Sequence, residues 1–333
     1  MRVVLVENIV QAVLAGESRD IASDREMEVI PGLVADALTT RGHDVSILPA
    51  NWDLPANIGK VEVDIVLNLA EGFAGSNGHE WLVPAILEQA GVPYTGADAG
   101  NILLTRDKLV TKTLLAAHNV TVPRHQIIRR HSDLSVREIG FPIIAKPLRE
   151  EASIGIGKDS VVVTEAQWKR RVEILLEIYK QPVLCEEYVQ GREFSIGVWG
   201  NNHVEALPMV EFVFPCVDPL QRFRSFEHKW LGDQEVMVAA EGVADVLREQ
   251  ASTIACLAHR VLNCRDYSRA DFRLSADGRL FFLEHNYNPG IGPNTHGLSN
   301  TFTRQAELAG FSYEAFLEKL MEIARGRYQG LER

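Results

Sequence analysis

Apolar residues run unbroken over Val3-Val4-Leu5-Val6 and stop at Glu7-Asn8, the mark of a strand covered on both faces. Helical spacing follows over 29–38, and Arg41-Gly42-His43-Asp44 closes it before a second strand, Val45-Ser46-Ile47-Leu48. A third strand over 64–68 and an apolar-periodic helix over 81–90 complete a strand–helix alternation, which implies a parallel sheet with helices on its faces. Further on, the pattern predicts a helix over 105–118, strands over 141–146 and 160–164, and a helix over 165–179. Strand signals then dominate at 183–188, 193–199 and 203–209, with helices expected over 243–262 and 313–325.

Near the end of the chain two strands combine alternation with charge. In Arg269-Ala270-Asp271-Phe272-Arg273 the charged residues share one face, as do Glu284 and Asn286 in Leu283-Glu284-His285-Asn286, because side chains on a strand alternate. Ser275-Ala276-Asp277-Gly278 reads as the turn that pairs them. Asp271, Glu284 and Asn286 would then meet as three hard oxygen donors beside Arg269, a set suited to magnesium bound together with phosphate. A solvated hairpin face would show the same alternation, so the pattern alone leaves both readings open. His285 falls on the opposite face and is expected to pack rather than ligate.

At 333 residues the chain is longer than one hydrophobic core supports, and 46% hydrophobic with 24% charged residues is an ordinary globular composition. A net charge of −11 without a basic block argues against nucleic acid as a partner. Cys185, Cys216, Cys256 and Cys264 lack metal-ligand spacing and are expected to be reduced thiols. No apolar run is long enough for a membrane span, so a cytoplasmic enzyme acting on small molecules is expected.

Two further blocks carry candidate chemistry. Lys146 ends a strand and enters the small-residue loop Glu151-Ala152-Ser153-Ile154-Gly155-Ile156-Gly157, whose amides can close over phosphates while the lysine supplies a point charge. It is neither a Walker A loop nor a GxGxxG fingerprint. Glu186-Glu187-Tyr188-Val189-Gln190-Gly191-Arg192-Glu193 offers carboxylates that can accept from an adenine amino group or ribose hydroxyls.

Taken in order, Lys108, the Lys146 loop, 186–193, Arg269-x-Asp271 and Glu284-x-Asn286 resemble an ATP-grasp enzyme, most closely the D-alanine:D-alanine ligases. The stretches 86–96, 106–109 and 309–313 support the resemblance, which spans nearly the whole chain. It implies an α/β fold with α+β elements, the ATP-grasp fold in three domains: an N-terminal α/β (pre-ATP-grasp) domain over 1–103, a central ATP-grasp domain over 104–184 and a C-terminal one over 185–333, with ATP held between the last two. It further implies an ADP-forming carboxylate–amine ligase that works through an acyl phosphate and assembles as a homodimer. On matching positions, Lys108, Lys146 and Ser153 would hold the phosphates, Glu186, Glu187 and the Val189 backbone adenine, and Glu193 the ribose. Asp271, Glu284 and Asn286 would hold two Mg2+ ions, for which Mn2+ could substitute. Lys229 would reach the γ-phosphate from a mobile loop, and Arg269 with the Gly290 amide would stabilise the oxyanion.

The departures cluster at substrate positions. Where the family uses a Glu, Ser, Tyr set, this chain has Asp24, Ala152 and Trp230; a His-Gly is replaced around Glu71; and 291–300, with Asn294 and His296, is rewritten. Asp24, Glu71, Trp230, Asn294 and His296 are therefore the candidate substrate residues. The same reaction on a carboxylate and an amine other than two D-alanines is the expectation. D-alanine:D-alanine ligation in an unusual pocket is the alternative, and an ATP-binding module without catalysis the third reading.

Overall fold

The computed structural model describes residues 1–12, 15–135, 138–231, 235–295 and 297–329, with the side chains of 23–25, 135 and 329 also left aside. Three sheets organise it. In the first, β1 (Arg2–Glu7) lies between β2 (Asp44–Pro49) and β3 (Ile65–Asn68), all parallel. The helices α1 (Ile30–Thr40), α2 (Leu54–Ile58) and α3 (Leu82–Gln89) supply the apolar side chains that cover it. The alternation in the sequence leads directly to this unit, since parallel strands need crossover connections.

The expected helix over 105–118 is α5 (Lys108–Ala117), and a separate helix, α4 (Ala99–Thr105), precedes it. Asp107 stands between the two and its carboxylate caps α5, accepting from the amides of Leu109 at 3.1 Å and Val110 at 3.2 Å. The second sheet has the order β4 (His125–Ile128), β7 (Val183–Glu187), β5 (Ile143–Pro147), β6 (Val161–Val162) and is antiparallel. It is backed by α6 (Glu165–Tyr179), whose Trp168, Val172 and Leu175 are buried against it.

The third sheet runs β11 (Val236–Ala239), β10 (Val210–Val213), β8 (Gly191–Gly200), β12 (Tyr267–Ser275), β13 (Leu280–Asn286), with β9 (Val204–Ala206) pairing β8. The helix α8 (Asp245–Val261) covers one face, and α7 (Phe226–Trp230) lies in the connection between β10 and β11. After α9 (Thr301–Leu308), α10 (Tyr313–Gln329) returns to the first sheet, where Phe316, Leu317 and Leu320 join the cluster of Val3, Leu5 and Leu67. The last part of the chain therefore completes the core of its beginning.

Asp266 ties these units together. Fully buried, it accepts from Gly96 N at 2.9 Å, from Asn201 Nδ2 at 3.0 Å and from Arg327 Nη2 of α10 at 2.9 Å. Burial raises its carboxyl despite the pull of Arg327, so the network, rather than one strong pair, makes the site tolerable. Replacing Asp266 with Ala should destabilise the protein by about 3 kcal/mol, as expected when one partner of a buried ion pair is removed. Urea unfolding checks this, and a loss well below 1 kcal/mol would contradict the role given to the junction.

Candidate active site

The hairpin of β12 and β13 has the register that the sequence implies, with Arg269 opposite Asn286 and Asp271 opposite Glu284. On its other side β12 pairs β8, which sets Asp271 opposite Ser195 and Arg273 opposite Glu193. Two ranks of polar side chains thus cross the sheet, and cross-strand neighbours at this spacing pair directly. Arg269 grips Asp271 through Nε and Nη2, both at 3.0 Å, while Ser195 Oγ donates to Asp271 Oδ1 at 2.6 Å. Burial works against the Asp271 charge, but Arg269 outweighs it and leaves the carboxyl below its usual range. Arg273 pairs with Glu193 and also donates to Val189 O at 2.9 Å and to the Tyr188 hydroxyl at 2.8 Å.

The facing strands of the second sheet bring a second buried charge cluster. Glu186 is 1% exposed and meets Lys146 Nζ at 2.6 Å and Lys112 Nζ at 2.8 Å. Burial would raise the Glu186 carboxyl, yet the two ammonium groups bring it down to about 2. One carboxylate cannot fully compensate two ammoniums: Lys146, with Glu284 also near, is held above its usual value, whereas burial lowers Lys112. Lys112, which the sequence reading did not single out, is the second ammonium on Glu186; it stands four residues after Lys108 on the same helix.

Between these clusters lies a narrow cleft of ≈ 80 Å³, lined by Lys146, Ser153, Glu186, Glu187, Val189, Glu193, Lys229, Arg269, Asp271, Glu284 and Asn286. The residues expected from sequence to hold a nucleotide and its metal thus share one wall, except Lys108. That lysine sits behind the cleft, donating to Glu150 O at 2.5 Å, with Glu284 Oε2 at 3.7 Å. Glu187 is partly committed, since Arg124 approaches it at 2.8 Å. Burial raises Glu193 to about 7, Arg273 notwithstanding.

The donors fit magnesium. Among the described residues no group of three or more His, Cys, Asp or Glu side chains could hold a metal. The set present is two carboxylates and one carboxamide, with Asn286 Nδ2 3.2 Å from Asp271 Oδ2. Few protein ligands, completed by phosphate and water, are what this ion takes.

A larger cavity of ≈ 520 Å³ adjoins the cleft, lined among others by Glu26, Glu71, Arg224, Lys229, Trp230, Glu235, Arg269, Gly290 and Asn294. Gly290 has no room for a side chain, because a Cβ there would lie 2.9 Å from Asn300 Oδ1. Asn294 spends its amide on Glu307 at 3.2 Å and accepts from Asn300 N at 2.6 Å, which fixes the loop. His296 and the Asp24 side chain lie outside the described residues. Glu26, two residues beyond Asp24, does line the cavity, and so do Arg224 and Glu235; none of the three had a spacing signal.

Lys229, expected on a loop, stands on α7, whose Ser225 cap accepts from His228 N at 3.2 Å. The phosphate-loop candidate is latched onto this element. Trp230 Nε1 donates to Ala152 O at 2.9 Å, Ser153 Oγ to Arg224 O at 2.9 Å, and Phe226 N to Ile156 O at 2.7 Å. Ala152 and Ser153 both hold positive φ, 52° and 61°, conformations that cost L-residues about 1–2 kcal/mol each and that these bonds help to maintain. Trp230 thus ties α7 to the backbone of residue 152 through its indole N–H, a bond that needs no side chain on that residue.

Comparison with known proteins is consistent with this geometry. Residues 114–322 match the family model described as D-ala D-ala ligase C-terminus. An uncharacterized protein, y4sG, from Sinorhizobium fredii is 36% identical over 80% of this chain and 76% of its own. The D-alanine–D-alanine ligase of Cupriavidus pinatubonensis is 31% identical over 91% of this chain and 89% of its own. Among solved structures, D-alanine–D-alanine ligase from Bacillus anthracis complexed with ATP superposes with a TM-score of 0.74 at 18% identity, covering 100% of both chains. The VanG D-Ala:D-Ser ligase of Enterococcus faecalis gives 0.75 at 17%, over 97% of this chain and 99% of that one. These last two establish the ATP-grasp fold.

Burial first, then Arg224 and Arg269, push the Lys229 ammonium down to about 8. An anion binds its protonated form, which is lost as pH rises through that value. Affinity for a magnesium–ATP analogue should therefore fall between pH 7 and 9, and Lys229→Met should flatten the dependence; an unchanged slope in calorimetric titrations would contradict the placement. Trp230→Phe should expose the Ala152 carbonyl and loosen 150–157 by about 1 kcal/mol, the worth of one hydrogen bond. Amide exchange across that segment is the check, and unaltered protection would show that the latch is idle.

Proposed function

We propose that this chain, which belongs to the D-alanine–D-alanine ligase family, joins an amino-acid-like carboxylate to an amine that together are not two D-alanines. As a family member it is an ADP-forming carbon–nitrogen ligase that uses ATP and a divalent metal such as Mg2+. The finer reading rests on the departures from the family's pattern at Asp24, Ala152, Trp230 and around Glu71, together with a cavity of ≈ 520 Å³ in which Glu26, Glu71 and Glu235 are set against Arg224, Lys229 and Arg269. That volume falls in the range of about 300–1,000 Å³ that accommodates small-molecule ligands.

In this reading Lys146, Ser153 and Lys229 bind the phosphates, Lys108 adds its charge from outside the cleft lining, beside Glu284, and Glu186, Glu187 and the Val189 backbone meet adenine, with Glu193 at the ribose. Lys112 acts through Glu186, keeping it ionised and in place. Asp271, Glu284 and Asn286 would hold Mg2+, as two ions for which Mn2+ can substitute, and the metal supplies charge neutralisation of the phosphates. A substrate carboxylate oxygen attacks the γ-phosphorus, and ADP departs with the electron pair of the broken P–O bond. The amine nitrogen then adds to the acyl carbon, and Arg269 and the Gly290 N–H offer hydrogen bonds to the oxyanion. As it collapses the C–O bond to phosphate breaks, inorganic phosphate leaves with the electron pair, and the nitrogen gives its proton to the departing phosphate. Loops latched through Trp230 exclude the water that would hydrolyse the intermediate. A three-domain division at 1–103, 104–184 and 185–333, a homodimeric assembly and a cytoplasmic location belong to the same proposal.

D-alanine:D-alanine ligation is the second reading, favoured by the relative of that name at 31% identity. Incubating purified enzyme with ATP and pooled D- and L-amino acids, followed by mass spectrometry, separates the two. The expected result is a product containing a residue other than alanine, with weak ADP release on D-alanine alone; strong turnover on D-alanine alone would overturn the first reading. Glu284→Ala should abolish ADP formation while leaving the thermal unfolding midpoint close to that of the parent, and near-normal turnover would remove the metal role.

A further inference from the structure

Among the described residues, four line both the nucleotide cleft and the large cavity: Ala152, Arg224, Lys229 and Arg269. A γ-phosphoryl group that travels from nucleotide to substrate carboxylate must cross between these two spaces. Lys229 and Arg269 have roles there already, but Arg224 has none.

Arg224 is not a surface charge that happens to point inward. Its side chain is 12% exposed, and its guanidinium carbon lies 3.9 Å from the centroid of the Phe212 ring on β10. Nε and Nη2 both reach one carboxylate oxygen of Glu235, at 2.7 and 2.6 Å. Two contacts on one edge and an aromatic ring against the plane fix the orientation of the fork, and a guanidinium so held keeps further N–H donors for a ligand. Glu235 Oε2 is buried and has no hydrogen-bond partner, so the carboxylate leans wholly on Arg224 through its other oxygen. Asp271 and Glu193 of the nucleotide cleft lie close enough to act on the Arg224 charge. Three cations gathered at one junction repel each other, an arrangement that an arriving anion relieves.

We propose that Arg224 is a catalytic residue whose guanidinium contacts the γ-phosphoryl group of ATP during its transfer, with Glu235 as its positioning residue. The inference rests on the ligase reading given above. In the step, a lone pair of the substrate carboxylate forms the new O–P bond, the bond from phosphorus to the bridging oxygen breaks, and its electron pair stays on the β-phosphate of ADP. No proton moves. Negative charge spreads over the three equatorial oxygens of the transferring group, and a planar fork held from behind can donate to two of them.

Calorimetric titration with magnesium–ADP and with a non-hydrolysable magnesium–ATP analogue, on the parent enzyme, Arg224→Gln and the double variant Arg224→Gln/Glu235→Gln, tests this without knowing the substrate. The double variant removes both charges of the buried pair, so it remains informative if the single variant leaves Glu235 stranded and folds poorly. The expected result is a loss of about tenfold or more in affinity for the ATP analogue, the worth of a hydrogen bond to a charged group, with ADP affinity changed by less than about twofold. In turnover, kcat should fall by about 10²-fold, and added guanidinium ion should restore part of it. Equal weakening of both nucleotides would reduce Arg224 to a structural brace, and unchanged analogue binding with a raised KM for the amino-acid pool alone would make it a substrate-side group. Either result overturns the proposal. Failure of the parent enzyme to bind either nucleotide would instead remove the ligase reading on which the proposal rests.

Discussion

The architecture depends on burying a dozen charges beneath one cleft without leaving any far from a partner. Antiparallel register solves this on the third sheet, since β8, β12 and β13 put Ser195, Asp271 and Glu284 in one rank and Glu193 opposite Arg273 in the next. Shifting β12 by one residue would turn every one of these side chains to the other face and strand buried charges that cost several kcal/mol apiece when unpaired. The facing sheet meets the same constraint with a single carboxylate, Glu186, between Lys112 and Lys146. The Glu186 cluster carries one carboxylate for two ammonium groups, and that excess of positive charge is what the proposed phosphate role draws on.

This division explains how chemistry and specificity can diverge within one chain. Most of the residues assigned to ATP in the proposed reading, Lys146, Glu186, Glu193, Asp271, Glu284 and Asn286, lie on paired strands, where position follows from register. The large cavity proposed for the substrate is lined instead from connections: Glu26 on the short helix 18–28 and Gly290 with Asn294 on the segment after β13. Connections tolerate replacement far better than strand interiors do. Trp230 donating to the Ala152 carbonyl is such a contact, since it asks nothing of the side chain at 152.

Much of the fold was legible because strand and helix periods are strong signals. The parallel first sheet, α6 over 165–179 and the β12–β13 hairpin follow from pattern alone, and His285 indeed turns away from the donors to meet Cys264 Sγ at 3.2 Å. Short strands such as β4, β10 and β11 were missed, each being four residues of mixed character at sheet edges or beside them. The helix α4 escaped because its seven residues are too few to show a helical period. Within the site, Asp271, Glu284 and Asn286 were readable from alternation, whereas Arg224 and Glu235 meet only through tertiary structure, and no spacing announces such a pair. Lys112 was readable in principle, as a lysine on a face that the helix buries.

The most direct test of the account uses the pooled amino acids with ¹⁸O in their carboxyl groups and follows the label into inorganic phosphate. An acyl phosphate formed in this cleft requires one carboxylate oxygen to leave with the phosphoryl group, so each phosphate released during ligation should carry one ¹⁸O. Phosphate free of label while amide bonds form would contradict the account.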